Sequence, residues 1–225
     1  MQPGILYIVA TPIGNPQDIS LRAKDVLNNV NRIICEERKI GSTLLRKLDI
    51  ERKPLLELNE HNEDSLAQEF MTFLINGENL ALISDCGTPA FADPGATLVA
   101  LALDYGVRVV PVPGASSLMA LLSVVPVKLK EFHYAGFLPR KEEQRRAKLN
   151  QLRKLNTPLI LMDTPYRLER TLQDIQKTFG KNCLITIGLN LTAEDEQVLH
   201  TTVEDVLKKC EGKKAEFILI IHEKM

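Results

Sequence analysis

Short apolar runs that alternate with helical patterns constrain the fold of this chain more than any other feature. In the first half the runs are ILYIVA (5–10), RIIC (32–35), LALIS (80–84) and VRVVPV (107–112). Their apolar residues are consecutive, as in strands buried on both faces. Between two of them, residues 62–76 place apolar side chains at helical spacing. Because parallel strands need crossover connections of this kind, the sequence predicts an α/β domain with a mostly parallel sheet.

The second half predicts another α/β domain, with a mixed and partly antiparallel sheet. Its strand-like runs are EFHYAGF, PLILMD, CLITIGL, QVLHTT and EFILIIH, and helical patterns fall at 142–155, 165–179 and 203–209. The stretch VVPVKLKE (124–131) holds a proline and changes polarity after a complete α/β set. We therefore expect an N-terminal domain over residues 1–125 and a C-terminal domain over 126–225.

Composition excludes several classes of function. The formal net charge of −1 gives no global attraction to nucleic acid, so any such contact needs a local basic patch. The four cysteines form no CxxC pair and the four histidines are scattered, so we expect reduced thiols in a cytoplasmic protein and no metal site. No apolar stretch reaches the length of a membrane span, and the N-terminal residues do not resemble a signal peptide.

Three glycine-bearing loops follow predicted strands of the first domain. They are TPIGN (11–15), SDCGTPAFADPG (84–95) and PVPGASS (111–117). Ligands bind at the carboxyl ends of strands in open parallel sheets, so the three loops predict one pocket, in which Gly87 and Gly114 let the backbone approach a ligand. The alternative is that these glycines and prolines only make turns. No GxxxxGK[ST] or GxGxxG motif is present, which disfavours a P-loop or Rossmann site.

Five blocks together resemble the tetrapyrrole-methylase superfamily, and within it the branch that methylates ribosomal RNA. The blocks are LYIVATPIGNPQDIS, ALISDCGTPAFADPG, VRVVPVPGASSLMALL, NEHNE (59–63) and YAGFLPRK (134–141). The resemblance extends from residue 4 to about residue 222. It implies a two-domain α/β fold, S-adenosylmethionine as methyl donor in a cleft between the domains, and a homodimer. It also implies that the acceptor is a ribose 2′-hydroxyl of small-subunit ribosomal RNA.

The resemblance implies which residues hold the cofactor. In the first domain, with the start of the helix that follows its third loop, they are Pro12, Ile13, Gly14, Gly87, Thr88, Phe91, Gly114, Ala115, Ser116 and Ser117. In the second domain they are Met162, Leu189, Asn190 and Ala215.

A ribose hydroxyl is a weak acid, so a nearby base assists its methylation. We rank Asp85 and Glu36 first as candidate bases, because both follow predicted strands at the edge of the pocket. Glu37 and His61 are further candidates. Carboxylates in such loops also commonly cap helices, and that alternative stays open.

Residues 140–154 are strongly basic, since they include seven basic residues and only two acidic ones. From this stretch we expect Arg140, Lys141, Arg145, Arg146 and Lys148 to contact RNA phosphates. The alternative is a solvated helix face.

The chain departs from the pattern of the RNA branch in three blocks, one of which is MDTPYR (162–167) where that branch has Y-E-S-P-H-R. It reads Glu36-Glu37-Arg38-Lys39 where that branch has E-D-T-R, and GLNLTA (188–193) where that branch has A-R-E-L-T-K. Two other functions therefore stay open: a methyltransferase for a tetrapyrrole-like small molecule, and a non-catalytic paralogue that binds the cofactor or RNA.

Overall fold

The computed structural model describes residues 2–222 and divides the chain into two compact units. The division falls between Ser116 and Ser117. The helix Ser117–Ser123 belongs to the second unit, where it packs on the strand Phe217–Ile221. The sequence had placed this helix in the first domain, and the boundary at residues 125/126 stays a prediction.

The first unit is built on a five-stranded parallel sheet, sheet A. Its strands are β1 (Ile5–Val9), β2 (Arg32–Cys35), β3 (Leu55–Glu57), β4 (Leu80–Ile83) and β5 (Arg108–Val112). They lie in the order β3-β2-β4-β1-β5, and every pair is parallel. The prediction of a parallel sheet is therefore confirmed.

Helices cover both faces of sheet A. They are α1 (Leu21–Asn29), α2 (Arg38–Lys47), α3 (Glu63–Ile75) and α4 (Ala96–Asp104), with a 3-10 turn at Pro16–Asp18. Phe70 of α3 and Leu98 of α4 pack in one hydrophobic core, whereas Leu27 of α1 and Leu45 of α2 pack in another. Ser20 caps α1 by accepting a hydrogen bond from the Ala23 N–H at 3.0 Å.

The second unit contains a mixed five-stranded sheet, sheet B. Its strands are β6 (His133–Gly136), β7 (Leu159–Asp163), β8 (Leu184–Leu189), β9 (Gln197–Thr202) and β10 (Phe217–Ile221). The order is β6-β7-β10-β8-β9; β6 is parallel to β7 and the other pairs are antiparallel, as predicted.

Four helices belong to this second unit. They are α5 (Ser117–Ser123), α6 (Glu142–Arg153), α7 (Leu168–Phe179) and α8 (Val203–Cys210), and a 3-10 turn at Pro165–Arg167 leads into α7. Leu149 of α6, Leu172 of α7 and Val206 of α8 pack in one hydrophobic core against sheet B. Within residues 2–222 no helix has the length and apolar character that a bilayer crossing requires.

The NEHNE block supports the loop that ends in Gly95. The Glu63 carboxylate accepts hydrogen bonds from the backbone N–H groups of Gly95 at 2.9 Å and Thr97 at 2.8 Å. These donors lie at the start of α4, where Gly95 has no side chain to serve as a cap. Gly95 has φ +133°, and a Cβ there would lie 2.4 Å from Leu82 Cδ2. Two blocks far apart in sequence therefore form one structural feature.

We expect Glu63→Ala to lower the free energy of unfolding by about 1–2 kcal/mol, the cost of a lost helix cap. Glu60→Ala is the matched control, because Glu60 is exposed, lies in the same block and should change stability by no more than about 0.5 kcal/mol. Urea denaturation of both variants measures the difference. Equal stabilities would show that the Glu63 bonds do not hold the loop.

Candidate functional site

The carboxyl ends of three neighbouring strands bring the three glycine loops together. β1 lies between β4 and β5 and is parallel to both, so the loops that follow these strands emerge at one edge of sheet A. The Thr11 hydroxyl donates to the Ser84 carbonyl at 3.0 Å, and the Thr11 N–H donates to the Gly87 carbonyl at 2.8 Å. The Thr88 hydroxyl donates to the Ala115 carbonyl at 3.5 Å, which links the second loop to the third.

Gly87 and Gly114 have a packing role within the loops, and their predicted contact with the cofactor stays a prediction. Gly87 has φ +85°, and a Cβ there would lie 3.2 Å from Ile13 Cγ2. A Cβ at Gly114 would lie 3.1 Å from Ala10 Cβ and 3.3 Å from the Ala10 carbonyl oxygen. The added atom would press on the neighbouring loop or strand, so packing among the loops already favours glycine at both positions.

The predicted cofactor residues of the first unit form a partly exposed surface on these loops. Pro12 and Gly87 are buried. The half-buried members are Ile13, Ala115 and Ser116, and the exposed members are Gly14, Thr88, Phe91 and Gly114. Ser117 is half-buried at the start of α5 in the second unit.

Asp85 follows β4 and carries an unsatisfied oxygen. Its Oδ1 atom is buried and has no hydrogen-bond partner among residues 2–222. Burial raises the pKa of Asp85, the charges of Glu37 and Asp93 raise it further, and a backbone hydrogen bond from Glu37 opposes them. A buried carboxylate oxygen without a donor costs stability, and such groups concentrate at functional sites.

Glu36 belongs to the same acidic cluster. It follows β2 and is half-buried. Burial raises its pKa, and the charges of Asp85, Asp93, Glu60 and Glu37 raise it further, with that of Asp85 the largest among them. The structure therefore brings the two predicted bases into electrostatic contact. His61 is exposed, and its backbone N–H donates to the side chain of Asn59 within a turn.

A cavity of about 440 Å³ in the first unit contains Asp85. The first loop and α2 form its other walls, with apolar surface from Ile13 and Ile40 and charged groups from Lys39 and Lys47. Its volume is within the range of small-molecule sites. A larger cavity of about 730 Å³ lies in the second unit and contains no predicted site residue. We take the smaller cavity as the candidate site, because it holds the unsatisfied carboxylate.

The predicted cofactor residues of the second unit cluster at one end of sheet B. Met162 near the end of β7 and Leu189 at the end of β8 pair with adjacent residues at the start of β10. Asn190 is bonded to Glu216 twice: its N–H donates to the Glu216 carbonyl at 2.8 Å, and its Oδ1 accepts from the Glu216 N–H at 2.9 Å. Ala215 directly precedes Glu216, so all four predicted residues lie at this end.

Comparison with known proteins identifies the family. The family model for tetrapyrrole (corrin/porphyrin) methylases matches residues 5–207. This chain belongs to that family. Solved structures of the family's fold agree: a cobalt precorrin-4 methyltransferase superposes with a TM-score of 0.69 at 16% identity, covering 97% of this chain and 94% of its own. A uroporphyrin-III C-methyltransferase from Thermus thermophilus has a TM-score of 0.67 at 18% identity, covering 98% of each chain.

Several proteins of similar sequence share a name that is more specific than the family description. A protein of Xylella fastidiosa strain Temecula1, named ribosomal RNA small subunit methyltransferase I, is 42% identical over 97% of this chain and 81% of its own length. Proteins of the same name from Halalkalibacterium halodurans and Haemophilus influenzae are each 36% identical, over 97% and 98% of this chain and over 75% and 79% of their own lengths.

Two arginines hold the GFLPRK loop of this methylase-family chain. Arg167 donates to the carbonyls of Leu138 at 2.8 Å and Pro139 at 3.0 Å, and it pairs with Asp163 at 3.2 Å. Arg145 donates to the Arg140 carbonyl at 3.0 Å. Sequence reasoning assigned no role to Arg167, and no pattern in the sequence showed that its partners would be loop carbonyls.

The expectation that Arg145 binds RNA is wrong. Arg145 is 5% exposed and pairs with the buried Asp174 at 2.7 Å, so its guanidinium is committed to the interior. Arg146 shares Asp174 at 3.0 Å and also pairs with Glu142 at 2.6 Å, which leaves it only partly available. Three predicted residues, Arg140, Lys141 and Lys148, have no ion pair within residues 2–222 and remain candidates.

We expect Arg145→Met to lower the free energy of unfolding by about 3 kcal/mol, because it leaves Asp174 buried with one partner fewer and releases the loop carbonyls. Lys148→Met on the same helix is the control and should change it by no more than about 0.5 kcal/mol. Thermal and urea unfolding measure both. A fully stable Arg145→Met variant that has lost RNA binding would restore the original assignment.

The raised pKa of Asp85 predicts a stability difference that depends on pH. A carboxyl whose pKa is higher in the folded state binds its proton more tightly there, so its ionisation weakens the fold as pH rises. Asp85→Asn removes this penalty, and the variant should be more stable than the parent at pH 7. The difference should shrink toward pH 4, near the ordinary Asp value of about 3.9. A variant that is less stable than the parent at pH 7 would contradict this reading of Asp85.

Proposed function

We propose that this chain is an S-adenosylmethionine-dependent methyltransferase that methylates a ribose 2′-hydroxyl in small-subunit ribosomal RNA. Membership of the methylase family supports methyl transfer. The relatives named for small-subunit ribosomal RNA support that substrate. The observation that carries the proposal is Asp85, which lines a cavity beside the first two loops and has one buried oxygen without a hydrogen-bond partner among residues 2–222.

The loops of the first unit fit the proposed cofactor chemically. They offer exposed backbone at Gly14 and Gly114 and the exposed Thr88 hydroxyl. Hydroxyl and ammonium groups of a ligand need acceptors and donors of this kind. When bound, S-adenosylmethionine supplies a methyl group on a sulfonium. The remaining predicted cofactor contacts, including those on sheet B, rest on the sequence resemblance.

Asp85 is the proposed general base. The Asp85 carboxylate, which lines the cavity, would take the proton that the ribose hydroxyl loses as its oxygen gains the methyl group and the sulfonium becomes a neutral thioether. A raised pKa suits this task, because a base works best when its pKa approaches the working pH. Glu36, whose pKa is raised by burial and by the charge of Asp85, is the alternative base in the same cluster.

The proposal also includes the RNA contacts, the oligomeric state and the cellular location. Arg140, Lys141 and Lys148 of the GFLPRK loop and α6 are proposed contacts to RNA phosphates. A two-fold homodimer is proposed from the resemblance, and the exposed apolar side chains Met119 and Val124, at or just after α5, are consistent with it. A cytoplasmic location follows from the substrate.

Transfer of a labelled methyl group tests the proposed function. Small ribosomal subunits and their RNA, prepared from cells that lack this protein, should gain label at linkages that resist alkali, whereas a panel of tetrapyrroles should not. Asp85→Asn should slow transfer by about 10²–10⁴-fold, as expected when a general base is lost. Asp18→Asn, an exposed carboxylate in the 3-10 turn after the first loop, is the control and should transfer at the parent rate.

Two results would contradict the proposal. Label found in a tetrapyrrole and not in RNA would assign a small-molecule methyltransferase. Binding of the methyl donor with no label in any acceptor would assign a non-catalytic paralogue.

A further inference from the structure

A second basic surface lies in the first unit, on α2 and the turn after it. Residues 38–53 hold six basic residues and two acidic ones. We call this the α2 basic surface; its cations are Arg38, Lys39, Arg46, Lys47, Arg52 and Lys53. The sequence analysis does not predict this surface, because it predicts neither α2 nor β3.

These cations are available to a partner. Arg38 forms a loose ion pair with Glu57, with 3.8 Å between Nε and Oε2, and 64% of the Arg38 side chain is exposed. The other five cations have no carboxylate within 4.0 Å among residues 2–222, and all but the half-buried Lys53 are exposed. The stretch 140–154 is different, because Arg145, Arg146 and Arg153 are engaged within the fold.

Helix stability does not explain this arrangement. Arg46 and Lys47 lie at the C-terminal end of α2, where positive charge favours the helix. Arg38 and Lys39, however, occupy its first turn, where the helix dipole disfavours positive charge, and the adjacent acidic residue is the N-cap Glu37, which makes no side-chain cap hydrogen bond. The cations at the start of α2 therefore need another reason.

The surface borders a groove that adjoins the candidate site. A cavity of about 610 Å³ is lined by Arg38, Arg46, Arg52 and Lys53. Its acidic lining residues are Asp49 and Glu51, so the cations outnumber them by two. Thr43 lines this cavity and also the cavity that contains Asp85, so α2 separates the two and borders both.

We propose that the α2 basic surface binds the phosphodiester backbone of the RNA on one side of the ribose to be methylated; this inference rests on the proposed function. Arg38 and Arg46 are eight positions apart, which is about 12 Å along the helix axis. At roughly 3.4 Å per phosphate along one strand, this length matches on the order of three phosphates. An RNA strand with its acceptor ribose at Asp85 would therefore lay neighbouring phosphates along α2.

Neutralising the groove tests the proposal. The variant carries Arg46→Gln, Arg52→Gln and Lys53→Gln, none of which lines the cavity that contains Asp85. The control carries Lys177→Gln, Lys209→Gln and Lys213→Gln, three exposed lysines of the second unit without ion pairs among residues 2–222. Circular dichroism and thermal unfolding establish that both variants fold. The probe is small-subunit ribosomal RNA, titrated at several salt concentrations.

The parent and the groove variant should differ in the salt dependence of RNA affinity. Loss of three phosphate contacts reduces the slope of log affinity against log salt by about 2, at roughly 0.7 per contact for a single strand. Affinity for RNA at 0.15 M salt should fall at least about tenfold. Affinity for the methyl donor should match the parent. Arg52→Gln alone should change the slope by about 0.7.

Failure of this inference and failure of the proposed function look different. If the parent methylates the RNA and the groove variant has the same salt slope as the control, the α2 basic surface is not an RNA site. If the parent neither binds nor methylates small-subunit RNA, the proposed function fails and this surface fails with it.

Discussion

The parallel pairing of β1 between β4 and β5 is the constraint on which the candidate site depends. It directs the three glycine loops to one edge of sheet A. Thr11 then fixes their spacing with bonds to the carbonyls of Ser84 and Gly87. Gly87 and Gly114 permit the close packing that follows, because a side chain at either would press on its neighbours. The loops are held by backbone geometry, which tolerates changes in their other side chains.

Around this edge of sheet A, one carboxylate oxygen lacks a hydrogen-bond partner, whereas nearby carboxylates have partners. Asp93 accepts a hydrogen bond from the Ser84 hydroxyl at 2.7 Å, and Glu63 accepts two from backbone N–H groups. Asp85 Oδ1 receives none among residues 2–222. In the second unit the buried Asp174 is paired with Arg145 and Arg146. Among residues 2–222, the one buried side-chain oxygen or nitrogen without a partner therefore lies where a proton acceptor has a chemical use.

Much of the fold could be predicted from the sequence, because buried strands and amphipathic helices leave plain apolar patterns. RIIC (32–35) and QVLHTT (197–202) are strands with the predicted bounds. The missed elements have physical reasons. β3 is a three-residue edge strand that is only half-buried, and α2 has no side-chain cap at Glu37 to mark its start. The apolar residues of α2, among them Ile40, Leu44 and Leu45, did carry a helical period.

Part of the candidate site could be predicted and part could not. Position after a strand was enough to select Asp85 and Glu36, since parallel strands end at a common edge. Charge counting misjudged Arg145, because a sequence does not show that Asp174, on another helix, lies against it. The same limitation concealed the α2 basic surface, whose meaning depends on the groove beside it.

The pH dependence of single-turnover methyl transfer, with small-subunit ribosomal RNA and methyl donor both saturating, tests the central role of Asp85 most directly. The account predicts that the parent rate rises with pH through a midpoint above roughly 4, the ordinary range for Asp, to a plateau. Asp85→Asn should be slow and lack this rise, whereas Glu37→Gln should keep the rise with its midpoint moved to lower pH, because the charge of Glu37 raises the pKa of Asp85. A parent profile retained in Asp85→Asn would contradict the account.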